Sequence, residues 1–469
     1  MDGNGRATTY EYNAIGDPRF VRTQVTNPDT GLPEDVVTEY QYDANGNKTT
    51  VIDPEGKTTS YSYTAMDNLS KITDAKLNTI EHGYDAVYNR TATKDRNGNR
   101  TNFGFDRNNQ LISATDPENN TTTFGLDEEG NRTSTTDPLG RTVTRTFDGL
   151  GRLTSMSEPD EGGATRTTSY VYDRADNLLS TTDPAGHTYS ETYDELSRLK
   201  QASDPLANAI YYRHDGAGNR VKSKDQRGHE TSFSYSPNDL LTAVTDPLNS
   251  VTSYGYDKNG NRTSQLDAEG HKTLYAFDEL NRITNEKVDA GNGNWLLEKS
   301  YHYNKTGNLT KDTTGEGAIS YTYDDVYNPT GITDRQNATY SFTYDNNQNQ
   351  LSAVENATNR TVSFAYNPRG MLSRSTDAHG TSESFSYDGA GNLTQRNDSI
   401  AGRNFTTTFN HTPRNQVKSV TRGTDTSTFS FDAAGNLASK TYPNGVATSI
   451  AYDADNRPTS QHAEKDDHT

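Results

Sequence analysis

The chain has 469 residues, only 29% of them hydrophobic, with a net charge of −19 and no Cys. That composition excludes a thick conventional core, a disulfide framework, a thiolate metal site and a nucleic-acid surface built on basic residues. No run approaches the roughly 18 apolar residues of a membrane-spanning helix, and the opening MDGNGRATTY lacks the charged-then-apolar pattern of a signal peptide.

Low hydrophobicity with high charge favours disorder, but the spacing of the aromatics opposes it. After Tyr12 the second aromatic of a short alternating segment falls at Tyr42, Tyr63, Tyr84, Phe105, Leu126 and Phe147, every 21 residues. The beat resumes at Tyr172, Tyr193, His214, Tyr235, Tyr256 and Phe277. It runs on through Tyr303, Tyr323, Tyr344, Tyr366, Tyr387, Phe409, Phe431 and Tyr452, which makes 21 copies. A disordered chain has no reason to keep such a period, so this is a repeat array.

Each copy carries two turns. Ten residues before the repeat aromatic stands Asp53, Asp74, Asp95, Asp116, Asp137, Asp183, Asp204, Asp225, Asp246 or Asp267, six of the ten followed by Pro. Asp bonds its own backbone further along and Pro presets φ for the next residue. Four residues after the repeat aromatic ten of 21 copies have Gly, among them Gly46, Gly130, Gly218, Gly260 and Gly391. Several of the others have Asp or Asn, the residues best able to adopt positive φ.

Between the turns lie two segments of strand length, one like TTSYSY and one like LSKIT. Short turns join antiparallel strands, so the pattern predicts an all-β fold of tandem 21-residue hairpins in one continuous meander, with essentially no helix. The repeat position and the one two residues before it hold 35 of the 44 aromatic side chains. Both point to one face, which predicts ladders of stacked rings in place of a compact core, with the Tyr hydroxyls reaching wet partners. Some 42 strands about 4.8 Å apart make a ribbon of roughly 200 Å that must coil, with a radius of roughly 30 Å if it closes once. Six residues after the repeat aromatic the column reads Lys48, Leu69, Arg90, Leu111, Arg132, Leu153. That alternation suggests a 42-residue unit and admits a propeller blade as the alternative.

Three stretches break the period, at 27–37, 157–166 and 287–299, and read as lengthened turns. The third holds Trp295, the only Trp, with Leu296 and Leu297, and is the candidate binding loop. The repeats span 1–460 and a polar tail follows at 461–469. Asp2, Gly5, Tyr10 and Tyr12 superimpose on Asp53, Gly56, Tyr61 and Tyr63, so the chain begins inside a repeat and reads as part of a longer protein.

The pattern offers little chemistry. His187, His229 and His271 follow turn glycines and read as exposed turn residues, while His214 takes the repeat-aromatic position. The DxNGN strings at Asp43, Asp95 and Asp257 lack the spacing of a calcium loop and read as Asx turns. Phosphate-loop, GxSxG and HExxH motifs are absent. The residues therefore point to no enzyme, no catalytic residue, no metal and no cofactor.

YQYDANGNKT (40–49), YGYDKNGNRT (254–263) and FDELNRIT (277–284), interleaved with TDPLGRT (136–142), resemble the YD repeats of Rhs proteins, insecticidal toxin complex shells and teneurins. The resemblance spans nearly the whole chain. It implies a hairpin ribbon spiralling into a hollow shell, or an open part of one, which in bacterial members encloses a toxic polypeptide. The expected partners are the remainder of the shell and an encapsulated cargo, and the expected location is outside the cell or on its surface. The associated core that cleaves itself in such shells has no counterpart among these residues, so protease and toxin activities are assigned to none of them. The alternative is a surface adhesin whose exposed aromatics contact carbohydrate or protein.

Overall fold

The computed structural model describes residues 1–28, 30–289 and 295–465. Parts of the expected loops at 27–37 and 287–299, and the last four residues of the expected tail, lie outside that range. The described chain holds forty-two strands, from Thr8–Tyr12 to Pro458–Lys465, all in one antiparallel sheet, and a single 3-10 turn at Glu161–Gly163. It divides into two compact units, Met1–Arg100 with Thr231–Ser363, and Thr101–Glu230 with Phe364–Thr469.

Within each unit a strand pairs with its successor and nothing is skipped. In the first unit the run from Thr8–Tyr12 to Arg90–Lys94 is unbroken. In the second the run from Leu111–Thr115 to Arg220–Lys224 is too. A propeller would interrupt pairing after every fourth strand. The blade alternative is therefore excluded, and the unit is the 21-residue hairpin.

Both turns of a repeat have the same build. At Asp53 the backbone N–H donates to the Lys57 carbonyl (3.0 Å) and the Gly56 N–H donates to the Asp53 carbonyl (2.9 Å). The Asp53 Oδ1 accepts from the N–H groups of Glu55 and Lys57, both at 2.9 Å. The turn after the repeat aromatic repeats this at Asp43, where Oδ1 accepts from Asn45 and Asn47 and Oδ2 accepts from the Asn47 amide. The fourth residue must take positive φ, which is why Gly46 (φ 87°) and Gly218 (φ 99°) stand there. A free carboxylate thus satisfies two donors that the tight loop leaves without ladder partners.

One bulge per repeat follows each of these second turns. Tyr63 pairs with Leu69 and Ser62 with Lys71, so Ser70 is the extra residue and the strand bends there. On its other side the same strand stops pairing at Lys71 with Glu81, two residues short of Leu69. The Tyr84 hydroxyl donates to that stranded Leu69 carbonyl at 2.7 Å. The link recurs from Tyr63 to Lys48 (2.8 Å), Tyr256 to Leu241 (2.7 Å), Tyr387 to Leu372 (2.9 Å) and Tyr452 to Leu437 (3.1 Å). Each of these repeats is pinned to the one before it.

Several expectations are corrected. Several repeat-tyrosine hydroxyls donate to backbone carbonyls of the preceding repeat, and other hydroxyls, such as those of Tyr193, Tyr301 and Tyr321, donate to carboxylates. Ring-on-ring contact occurs at Tyr10 and Tyr12 (6.3 Å), but inside the array the rings carry cations: Lys48 over Tyr40 (4.7 Å), Arg132 over Phe124 (3.9 Å), Arg220 over Tyr212 (5.4 Å) and Arg262 over Tyr254 (5.6 Å). These four basic members of the Lys/Arg and Leu column are lids on the ring eight residues earlier.

The period-breaking stretches lengthen the strands on either side of their turns, and the turn of the third lies outside the described residues. Pairing continues to Thr26 with Pro33, Pro159 with Thr165 and Val288 with Leu297. The expected tail is strand as far as Lys465, paired with Val446. Phe409 is not the repeat aromatic: the bulge and turn place His411 there, paired with Val417.

The interior matches the composition. Among the described residues Val25 (6% exposed) and Ala92 (5%) are the buried apolar side chains. The repeat aromatics Tyr42, Tyr63, Tyr84, Phe105, Phe147, Tyr172, Tyr193, Tyr235, Tyr256 and Phe277 are all half-buried.

Two outcomes are expected. Tyr256→Phe, which deletes only the hydroxyl, should lower stability by about 1 kcal/mol in urea unfolding, with the far-UV spectrum kept. Hydrogen bonds from Asn47, Asn89, Asn131 and Asn177 hold Asp43, Asp85, Asp127 and Asp173 below the usual carboxylate range. Their stabilisation is complete above the ordinary carboxylate pKa and is lost as pH falls through the depressed folded values. The thermal midpoint should hold flat from neutral to about pH 5 and drop steeply below about pH 4.

Candidate functional site, the seam between turn edges

The ribbon has two edges made only of turns, one before the aromatic strand (the Asp53 kind) and one after it (the Asp43 kind). In each unit the first edge of the earlier stretch lies against the second edge of a stretch about twelve repeats later, 248 to 274 residues along the chain. In the first unit Asn4 donates to Asp257 (2.9 Å) and Asn259 to Asp2 (2.6 Å), while the Arg6 guanidinium donates to the Asp278 carbonyl (2.6 Å). Lys305 pairs with Glu34 (2.9 Å), Lys76 with Asp324 (2.9 Å) and Lys57 with Asp325. The Tyr327 hydroxyl donates to Asp53, and burial together with that carboxylate pushes the phenol well above its usual pKa. Asn347 and Asn97 close the row on Asp95 (2.7 Å) and Asp345 (2.9 Å).

The second unit repeats the arrangement with other residues. Arg369 lies between Asp116 (3.4 Å) and Glu118 (2.8 Å), Lys418 pairs with Glu161 (2.7 Å), and Asn456 donates to the Tyr189 hydroxyl (3.3 Å). Asp204 and Asp455 face each other across this seam; burial first, then Asp204, raises the Asp455 carboxyl. Close approach also demands glycine. A Cβ on Gly3 would lie 2.2 Å from the Lys258 carbonyl oxygen, and one on Gly389 would lie 2.8 Å from Asn120 Oδ1 and 2.9 Å from Pro138 Cβ.

The sequence singled out the residues of this seam without bringing them together. Asp53 and Asp116 contact the facing edge directly, and Asp137 holds Arg141 (2.7 Å between Nε and Oδ2), whose Nη1 reaches the Thr412 carbonyl. Asp183 and Asp246 cap their own turns. Gly130 (φ 87°) and Gly260 (φ 86°), like Gly46 and Gly218, serve backbone conformation. Missed were the facing residues, Asp324, Asp325, Tyr327 and Arg369. Their one signal was an Asp directly after the repeat aromatic, which caps the second turn just as the Asp-Pro residue caps the first.

Trp295 (44% exposed) opens a strand and stands with Leu296, Leu297, Thr314, Glu316 and Arg335 around an open groove of about 540 Å³. Lys287 lies over its ring at 5.8 Å. Asp267, Glu269 and His271 bring one ligand atom each within 4.8 Å. Two of the three already serve the turn: Asp267 Oδ1 accepts from the N–H groups of Glu269 and His271, and the His271 ring meets Oδ2 at 2.9 Å. His187 and Asp183 make the same pair at 3.1 Å.

Gly389→Leu should destabilise the chain by about 2 kcal/mol through overpacking at the seam. Gly140→Leu, whose Cβ would meet nothing within 4 Å, is strained by its φ alone and separates the two causes. Lys76→Ala should cost at most about 1 kcal/mol, and the loss should shrink in high salt.

No curated protein matches the chain. The chain is similar in fold to the crystal structures titled TcdB2-TccC3-TEV (14% identity, TM-score 0.53, 95% of this chain and 29% of that one) and TcdB2-TccC3 (14%, 0.53, 97% and 33%). It is similar also to the Photorhabdus luminescens Tc holotoxin pore carrying TccC3-D651A (13%, 0.51, 97% and 32%). It spans about a third of those chains. No described helix is long and apolar enough to cross a membrane. The Teneurin YD-shell family matches residues 271–398. The RHS Repeat family matches 23–58, 42–79, 105–142, 127–162, 147–188, 172–209, 214–251, 235–272 and 431–466, more than half of the chain. With capped turns, bulges and aromatic pairs recurring along the ribbon, this chain belongs to the RHS repeat family.

Proposed function

We propose that this chain is the structural wall of an Rhs-type shell that encloses a toxin or other cargo polypeptide, in a secreted or surface-delivered bacterial system. The observation that carries the reading is the seam. Some 24 strands separate the two edges that touch, about 115 Å of ribbon at 4.8 Å per strand. A ribbon of that contour that comes back to its own edge goes around something. Its few buried apolar side chains suit a partition better than a solid body. The likeness to solved Tc complexes supports the fold side of the reading, and the cargo is the inference. The wall's own residues act by position, through turn caps, hydroxyl links and seam pairs, and no chemical step is assigned to them.

The adhesin alternative needs open aromatic faces. Trp295, with a groove beside it, is the ring of the candidate binding loop that this alternative would use, among other exposed rings such as Tyr10, Tyr12 and Tyr88.

The test is protease protection. The chain should be co-expressed with its neighbouring coding sequence, purified, and treated with a nonspecific protease. Cargo inside a wall survives at protease levels that digest it when free, and Gly389→Leu shortens that survival. Equal digestion rates, free and co-purified, would overturn the reading. A glycan screen in which binding is lost in Trp295→Ala would instead favour the adhesin.

A further inference from the structure

One broad face of the ribbon is dominated by hydroxyl and small side chains. It carries the third and the first residue before each repeat aromatic, together with the two residues directly opposite them. Thr144 and Thr146 stand against Ser157 and Ser155, and Ser232 and Ser234 against Thr245 and Ala243. Thr146 and Ser155 bond each other at 2.7 Å. The hairpin of His214 departs from this at all four positions. Tyr211 and Arg213 stand there, with Lys224 and Lys222 directly opposite. Tyr211 is 46% exposed, and Arg213 and Lys224 are exposed as well.

This strip works against the sheet that carries it. Arg213 and Lys222 face each other across the ladder, where like charges repel. Glu230 pairs with Lys222, and among the described residues no carboxylate pairs with Arg213 or Lys224. The fastening of this hairpin lies on the opposite face, where Arg220 covers Tyr212 at 5.4 Å. The seam joins turn edges, and these four side chains stand on the face between the edges, so the strip does not depend on what covers an edge.

We infer that the strip of Tyr211, Arg213, Lys222 and Lys224 is a docking surface for an acidic segment of a partner polypeptide, held extended with Glu or Asp at alternate positions. The spacing matches on both sides. Tyr211 and Arg213 are two residues apart on one strand, about 6.7 Å, and so are alternate side chains of an extended peptide. One carboxylate meets Arg213 and Lys222, and the next meets Lys224 beside the Tyr211 ring. Charge also decides the class of partner. The strip is one hairpin wide and lies between turns capped by Asp204, Asp215 and Asp225, in a chain of net charge −19. A nucleic acid is charged along its whole length and would run over those carboxylates, whereas a peptide can confine its acids to the strip. The inference does not rest on the enclosure of a cargo.

Fluorescence anisotropy on the full chain, with a labelled alternating Glu-Thr peptide of about twelve residues, tests this. Binding should saturate below about 1 mM peptide in about 20 mM salt and weaken steeply by about 300 mM. Arg213→Ser with Lys224→Thr installs the residue types of the neighbouring repeats. It should weaken binding about tenfold or more. Its thermal midpoint should hold or rise, because the opposed charges are gone. Lys71→Ser removes a lysine of the same face that stands between Ser62 and Glu81, and should leave binding unaltered. No saturation with the Glu-Thr peptide would overturn the inference, as would undiminished binding in the double variant. Equal binding of a Gln-Thr peptide by the unaltered chain would overturn it too. Oligothymidylate that binds as tightly, with the same loss in the double variant, would overturn the choice of a polypeptide.

Discussion

A wall one sheet thick has no second layer in which to hide the polar ends of its backbone, and this constraint shapes every repeat. Each hairpin ends in a loop too tight for its own donors, and each bulge strands a carbonyl. Asp supplies the acceptor at the loops, and the tyrosine hydroxyl supplies the donor at the bulge. Both groups are half-exposed, which suits them: an ionised carboxylate and a phenol keep contact with water while satisfying the chain. A Leu or Val in these positions would bury more apolar surface and leave the backbone unsatisfied.

The same turn then does a second task. Because Oδ1 is committed to its own loop, Oδ2 faces outward with its charge, and the seam is built on those outward atoms and on the lysines and arginines of the opposing edge. Asp53 shows both tasks in one residue, capping Glu55 and Lys57 while accepting from Tyr327. The pairs are individually weak at such exposure. Their strength as a seam comes from number and from glycine-permitted contact at Gly3 and Gly389, where backbone meets facing residues without an intervening side chain.

The period, the hairpins and the all-β class were legible because each rests on neighbours in sequence. A turn needs its Asp and its Gly within four residues, and a strand its alternation over six. The seam was not legible for the opposite reason: its partners are some 250 residues apart, and Asp324 looks no different from Asp85 in the sequence. Phe409 misled because His411 replaces the repeat aromatic, so Phe409, the ring two residues before it, took the wrong place in the count. The lengthened hairpins misled because extra residues were read as loop. Strands that alternate correctly can simply extend their pairing.

The Lys/Arg and Leu column holds the last part of the logic. Phe105, Phe147 and Phe277 come fifteen residues after Arg90, Arg132 and Arg262, whereas Tyr84, Tyr256, Tyr387 and Tyr452 come fifteen after Leu69, Leu241, Leu372 and Leu437. At Leu69, Leu241, Leu372 and Leu437 the carbonyl is met by that tyrosine's hydroxyl. At Arg132 the guanidinium covers the ring of its own hairpin, Phe124 at 3.9 Å, and the next repeat aromatic, Phe147, has no hydroxyl, whereas Arg220 covers Tyr212 and is followed by Tyr235. Tyr63, after Lys48, has both the lid and the hydroxyl link, so the two devices are compatible and neither is forced by sterics. Hydrogen bond to the preceding repeat and cation on the ring are thus two ways of fastening one hairpin, and alternating them keeps basic side chains spread through a strongly acidic wall.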